Sequence, residues 1–438
     1  METIQQTRNK FTGSISFKLG VITILALLLL IPTGLIRSLI NEREYRRDEV
    51  AREIAQGWGN EQEITGPILT IPYITRTESS GFEYNYLHIL PDELNINGEL
   101  FPVVKYRGIF EIILYTSDLN LTGSFNNPGK YFEDNHAEKI LWEDAFLSVG
   151  ISDLKGIRSI DTILLNNESL VVDQGNNENS PVYTGICTAE GIHESDKLEY
   201  NISLTVNGYK TFSCVPLGNN TNVDLKGKWN CASTSGMFVS DEFIKTDTSF
   251  SAKWKIPQAK HNMSQAWTGD KYMFNELSLG VSLIQPVDNY QKTTRSNKYA
   301  ILFVGLTFLV FLFAEIVNKI KVHPIQYLLV GLGLVLFYSI LLAFSEHLRF
   351  EISYLIASIA IVGLTSSFTY LLFKRLSVML STFTMLSALY LFLYILLQLE
   401  DYSLLAGNIG LFIILAIVMY FSLKIDWYNN KTELKKEE

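Results

Sequence analysis

Six long apolar runs constrain this chain more than any other feature. One stands alone near the start at Leu19–Ile36, and five are crowded into residues 299–423. Eighteen residues rising about 1.5 Å each make a helix of about 27 Å, close to the hydrocarbon thickness of a bilayer. The first run is too long for the core of a cleavable signal, and Arg37-Ser38-Leu39-Ile40-Asn41 follows it instead of a small-residue cleavage site. It reads as a retained signal anchor. The later runs are 299–317, 325–344, 352–373, 377–397 and 404–423, joined by links of a few residues. Backbone polar groups in lipid must be satisfied within each segment, so the sequence predicts six transmembrane helices, the last five as antiparallel neighbours.

The basic residues of the short loops predict the orientation. One side collects Arg8, Lys10 and Lys18, then Lys319 and Lys321, Lys374 and Arg375, and Lys424, Lys431, Lys435 and Lys436. The opposite short loops hold only Arg349. Both termini, 1–18 and 424–438, are therefore expected in the cytoplasm and residues 37–298 outside it. Arg37, Arg43, Arg46, Arg47 and Arg52 run against that assignment, but they open a long segment, where the rule is weak. Trp427 and Tyr428 are expected as interfacial anchors.

Residues 37–60 are rich in Glu and Arg at helical spacing and predict a juxtamembrane helix ended by Gly57 and Gly59. From 61 to 298 the pattern changes to alternation with a period of two, punctuated by polar turns. The fold class expected is therefore an α+β membrane protein. Its β-rich domain, an antiparallel sheet or sandwich, lies between helices 1 and 2. Asp134–Trp142 is expected to be a short helix within it. Cys187, Cys214 and Cys231 cannot all pair with one another. A Cys214–Cys231 bridge would need an oxidising compartment, and the expectation is that all three are buried small apolar residues.

Catalytic signatures are sparse. The sequence lacks H-E-x-x-H, G-x-S-x-G and C-x-x-C motifs. Gly123–Lys130 imitates a phosphate-binding loop, but it has one residue too many between its glycines, and Tyr131 stands where Ser or Thr is needed. It reads as a turn. His88, His136, His193, His261, His323 and His347 lack ligand spacing, so neither metal nor cofactor is expected. A net charge of −9 without a basic tract argues against nucleic acid. Ionisable and polar groups beside the spans are a better lead, because they are costly in lipid. The candidates are Glu315, His323, Gln326, Glu346 and His347. They form either an ion path or small-ligand pocket, or local pairs at headgroup depth, and the second is the expectation.

The stretch HPIQYLLVG at 323–331, with LVLFY at 334–338 and LLAFSEH at 341–347, resembles the CreD family of bacterial inner-membrane proteins. GPILTIP at 66–72, VGISDLKG at 149–156, PVDNY at 286–290, KYAIL at 298–302 and IDWY at 425–428 extend the resemblance along the chain. The Asn-rich segment 164–181 departs from it. The resemblance implies a cell-envelope integrity protein of the cytoplasmic membrane with its large domain in the periplasm, and no established reaction. The expected partners are the lipid bilayer and an envelope component: a protein, a lipid or peptidoglycan. The rival expectation is a transporter or lipid-handling protein with a polar pocket among the later spans, lined by Glu315, Gln326, Ser345 and Gln398.

Overall fold

A computed structural model describes residues 15–77, 81–133, 137–173, 178–188, 191–261, 263–269, 272, 274–285, 289–318, 322–399 and 403–423. The chain divides into two compact units, Met1–Arg46 with Val287–Glu438, and Arg47–Pro286.

The first unit is helical. The apolar run near the start forms α1 (Ile15–Leu28) and the beginning of α2 (Leu30–Trp58). The helix thus breaks at Leu29, inside the expected span, and the juxtamembrane helix expected to follow the span is the continuation of α2. Downstream come α3 (Asn289–Lys298), α4 (Ala300–Asn318), α5 (Pro324–Ser345), α6 (Phe350–Phe373), α7 (Leu376–Gln398) and α8 (Ser403–Ser422). Among the described residues, four stretches are long and apolar enough to cross a bilayer: Lys18–Trp58, Pro324–Ser345, Phe350–Phe373 and Leu376–Gln398. The α3–α4 pair, bent by 48°, makes a fifth when counted as one span. The apolar stretch described in α8, Leu405–Ile417, is shorter. Residues 427 and 428, expected as anchors, lie outside the described residues.

Polar α3 reads from its sequence as the end of the soluble domain, yet it belongs with the helices. It packs against α4, α5 and α7. Its Thr293 and Ser296 are fully buried, and Asn297 Nδ2 donates to the Thr33 carbonyl at 3.3 Å.

The second unit holds two sheets around one core. In the ten-stranded sheet the path runs Ala232–Gly236, Leu279–Leu283, Thr211–Val215, Gln62–Thr77, Phe146–Ile151, Gly185–Thr188, Val172–Asp173. Gly81–Ile89 and Lys139–Ile140 pair with the far end of Gln62–Thr77 on its two opposite edges, and Ala266–Thr268 pairs with Gly81–Ile89. The eight-stranded sheet runs Glu242–Lys245, Phe250–Pro257, Asn220–Gly227, Glu93–Arg107, Phe110–Asn126, Lys197–Tyr209, Ile157–Leu165, Glu168–Ser169. Most pairings are antiparallel, as expected. Two are parallel: Gln62–Thr77 with Thr211–Val215, and Glu93–Arg107 with Asn220–Gly227.

Alternation explains how the sheets pack. Along Lys197–Tyr209, Leu198, Tyr200, Ile202, Leu204 and Val206 point into the core while Glu199, Asn201, Ser203 and Thr205 face out. Phe146–Ile151 is buried at every position, the pattern of a strand covered on both faces. The end of α2 packs on the outer face of the eight-stranded sheet, where Val50 and Ala51 meet Ile112 and Leu114. Trp58 Nε1 donates to the Tyr115 carbonyl at 3.2 Å.

Two local expectations need correction, and a third holds for two of its three residues. Residues 137–141 of the expected helix Asp134–Trp142 are not helical, and Trp142 only begins a short 3-10 turn: Lys139–Ile140 is a strand paired with Tyr73 and Ile74, because that edge of the long strand offers free backbone partners. Residues 134–136 lie outside the described set. The phosphate-loop imitation is only partly a turn, since Gly123 lies inside a strand. A Cβ there would overlap the Glu93 carbonyl, which accepts from Tyr200 OH at 2.8 Å. Close approach, not phosphate, explains that glycine. All three cysteines are free thiols; Cys187 and Cys214 are buried as expected, while Cys231 is only half-buried.

Candidate functional site

Glu315 sits near the end of α4 and is only 5% exposed. A buried carboxylate is tolerable only when its oxygens are supplied with donors. Its Oε1 accepts from Lys18 Nζ of α1 and from the Val322 backbone N–H at 3.1 Å. Its Oε2 accepts from Tyr327 OH of α5 at 3.0 Å. Edge-on contacts from Phe308 and Phe311, with ring centroids 5.7 and 6.2 Å away, wall in the Tyr327 ring. One carboxylate thereby ties together α1, α4 and α5.

His323 and Gln326 are engaged in starting α5. The His323 side chain accepts from the Ile325 N–H at 3.3 Å, Gln326 Oε1 accepts from the His323 N–H at 3.0 Å, and Pro324 occupies the first turn. This reciprocal arrangement satisfies N–H groups that a helix start would otherwise orphan.

Glu346 and His347 lie at the other end of α5, whose 22 residues span about 33 Å. Glu346 caps that helix, and its Oε1 lies 3.6 Å from Arg43 Nε. His347 is exposed. The five candidates therefore form two separate sets, and the structure does not bring them into one constellation. Lys18 and Tyr327 complete the first set. Sequence reasoning counted Lys18 only for topology, and nothing in the pattern singled out Tyr327.

Among the described residues, grooves open between the helices, two of them wide. One, of about 670 Å³ between α6 and α7, is apolar with Glu351, Tyr354 and Tyr390 on its wall. The other, of about 600 Å³ among α4, α7 and α8, is apolar almost throughout. Glu315, Gln326, Ser345 and Gln398 line neither.

A third hollow belongs to the β unit. It covers about 460 Å³ on the outer face of the eight-stranded sheet. Strand register places its side chains in rows. Asp224 lies opposite Asn97, Asn97 opposite Asn120, and Asn120 opposite Ser203. The next row is Lys226, Glu99, Asp118 and Thr205. Thr205 Oγ1 donates to Asp118 Oδ1 at 3.0 Å, and Lys226 Nζ lies 3.4 Å from Glu99 Oε2. Alternation marks these positions as outward, but the sequence alone does not align the strands. Among the described residues, no group of three or more His, Cys, Asp or Glu is placed to hold a metal ion.

Comparison with known proteins matches residues 14–428 to a family described as inner membrane protein CreD. The chain is similar to the inner membrane protein CreD of Escherichia coli strain K12. The two are 32% identical over 415 residues, covering 92% of this chain and 91% of that one. Among solved structures, an M1 zinc metallopeptidase from Deinococcus radiodurans matches 44% of this chain and 42% of its own. The identity is 10% and the TM-score 0.24, a likeness too slight to carry any argument about fold or chemistry.

Proposed function

The chain belongs to the CreD family of inner membrane proteins, and from that premise we propose that it maintains cell-envelope integrity without catalysing a reaction. In this reading the chain crosses the membrane six times with both termini in the cytoplasm. Residues 37–298 stand in the periplasm, where the β unit binds an envelope component. The basic residues of the short loops support the orientation. One observation carries the binding role. The outer face of the eight-stranded sheet is a broad array of outward Asn, Asp, Ser and Thr side chains with a hollow across its central strands. Glu315, His323 and Gln326 then serve architecture, because their polar atoms are used in joining and capping helices.

The groove between α6 and α7 favours a second reading, a lipid-handling protein, since an apolar slot of that size with a carboxylate on its wall suits an acyl chain with a polar head.

A rescue assay in a strain lacking the gene separates the two. It compares the full chain with residues 38–298 on an unrelated single-span anchor, at equal membrane levels, scored by detergent and osmotic tolerance. Rescue by the tethered β unit supports the binding role. Rescue by the full chain alone moves the activity to the helices and brings the second reading to the front.

A further inference from the structure

We propose that the hollow on the outer face of the eight-stranded sheet is a binding site for a neutral glycan chain, an assignment that rests on the β unit being the envelope-binding part. The four strands that build it are Asn220–Gly227, Glu93–Arg107, Phe110–Asn126 and Lys197–Tyr209. Neighbouring strands lie about 4.8 Å apart, so side chains on the outermost two are about 14 Å apart, enough for a short run of linked pyranose rings.

The lining chemistry selects the ligand. Amide and carboxylate groups are flat and can pair with two adjacent hydroxyls at once, while Ser and Thr hydroxyls both donate and accept. These side chains are short and rooted in a pleated sheet, so little rotamer freedom is lost when they engage a ligand. Asn120 supplies the most direct sign of a missing partner. Its Oδ1 is buried and accepts no hydrogen bond, in a side chain that lines the hollow. Asn201 Oδ1, one row further along the same face, is in the same condition. A buried acceptor left unpaired is costly, and a sugar hydroxyl would satisfy it.

A second hollow of about 420 Å³ adjoins the first and shares Asp118 and Thr205 with it. It contributes Phe101 and Val103, which are 40% and 45% exposed at alternate outward positions of one strand. A polar array continuous with an aromatic platform matches a pyranose ring, which has hydroxyls at its rim and an apolar face of C–H groups.

Other ligands fit less well. Glu99, Asp118, Asp161 and Asp224 outnumber Lys226 and Arg158, so the joined hollows repel phosphate or carboxylate polymers. Extended peptides commonly add to a sheet through the free N–H and C=O groups of an edge strand. Across the first hollow the strands are central, and their backbones are already paired on both sides; only beyond Leu100 does the Glu93–Arg107 strand pair on one side alone.

The test uses the full-length protein in lipid nanodiscs. Binding of chitotetraose and of maltotetraose is measured by calorimetry and by saturation-transfer NMR, with dextran sulfate as the anionic probe. Saturable binding of at least one tetrasaccharide is expected, with none of dextran sulfate. Asn120→Ala and Phe101→Ala should each weaken binding about fivefold, as loss of about one hydrogen bond or ring contact would. Lys105→Ala, on the same strand outside the hollows, should leave it unchanged. The variants replace outward side chains, and their unfolding temperatures check that the fold survives. Binding of neither tetrasaccharide overturns the proposal, as does undiminished binding in the Asn120→Ala/Phe101→Ala double variant. If the tethered β unit rescues the strain but binds no tetrasaccharide, only the glycan assignment falls. If a tetrasaccharide binds but that unit does not rescue, the fault lies with the broader functional reading.

Discussion

Lys18 Nζ donates to Glu315 Oε1 across 297 residues of sequence, joining the first apolar helix to the first helix of the later cluster. The same carboxylate accepts from Tyr327 OH and from the Val322 N–H. A side chain that the sequence leaves between ion movement and local pairing thus clasps three helical elements together.

Breaking that clasp should loosen the helical unit. Tyr327→Phe removes a hydrogen bond to a charged acceptor and should cost about 1.5–3 kcal/mol. Glu315→Ala strands several donors and should cost about 3–5 kcal/mol. Thermal unfolding in detergent reads both. The Tyr327→Phe/Lys18→Met pair should cost less than the sum of its single changes, since both lean on one carboxylate. Strict additivity would show that the two contacts are independent.

Leu29, at the break between α1 and α2, fills the space above Gly331 of α5, where any Cβ would meet its side chain. Gly331→Val should overpack this contact by about 1–3 kcal/mol. Leu29→Ala should leave a cavity costing about 2–5 kcal/mol. Gly331→Ala placed in the Leu29→Ala background should recover part of that loss, as seen by unfolding temperature. A further loss in the double variant would refute the direct contact.

Thiol reactivity should follow burial. Cys187 and Cys214 are buried, and burial also pushes the Cys214 thiol upward, away from its reactive thiolate. Maleimide treatment of the folded protein followed by mass spectrometry should find Cys231 labelled and the other two protected. Denaturant should make all three react. Early labelling of Cys214 would contradict its place in the core.

Glu63 confers a pH dependence. Burial raises its carboxyl above the ordinary value of 4.5, opposed by hydrogen bonds with Ser278 and Ser213. The folded state therefore holds this proton more tightly than the unfolded chain. Its contribution is fully present below 4.5 and is lost as pH climbs through the raised value. Glu63→Gln should gain unfolding temperature relative to the parent between about pH 4 and pH 7. A constant difference across that range would mean that Glu63 titrates alike in both states.

Membrane class was readable because it depends on local quantities: the length of an apolar run and the charges beside it. Strand content was readable for the same reason, since alternation is written residue by residue, as at Leu198–Val206. The helix expected at Asp134–Trp142 failed where local pattern met a nearby strand edge at Tyr73 and Ile74. Polar α3 was placed in the soluble domain because its composition is polar, and only packing reveals that Thr293 and Ser296 are buried among helices.

By itself the sequence determined which segments are apolar enough to enter a membrane and which must alternate as strands, because both follow from the hydration of individual side chains. Tertiary structure alone decided that Lys18 meets Glu315, and that Asp224, Asn97, Asn120 and Ser203 share one row. Such pairings depend on helix packing and strand register. These are settled by how distant surfaces close over a common core, and no short window of residues contains that information.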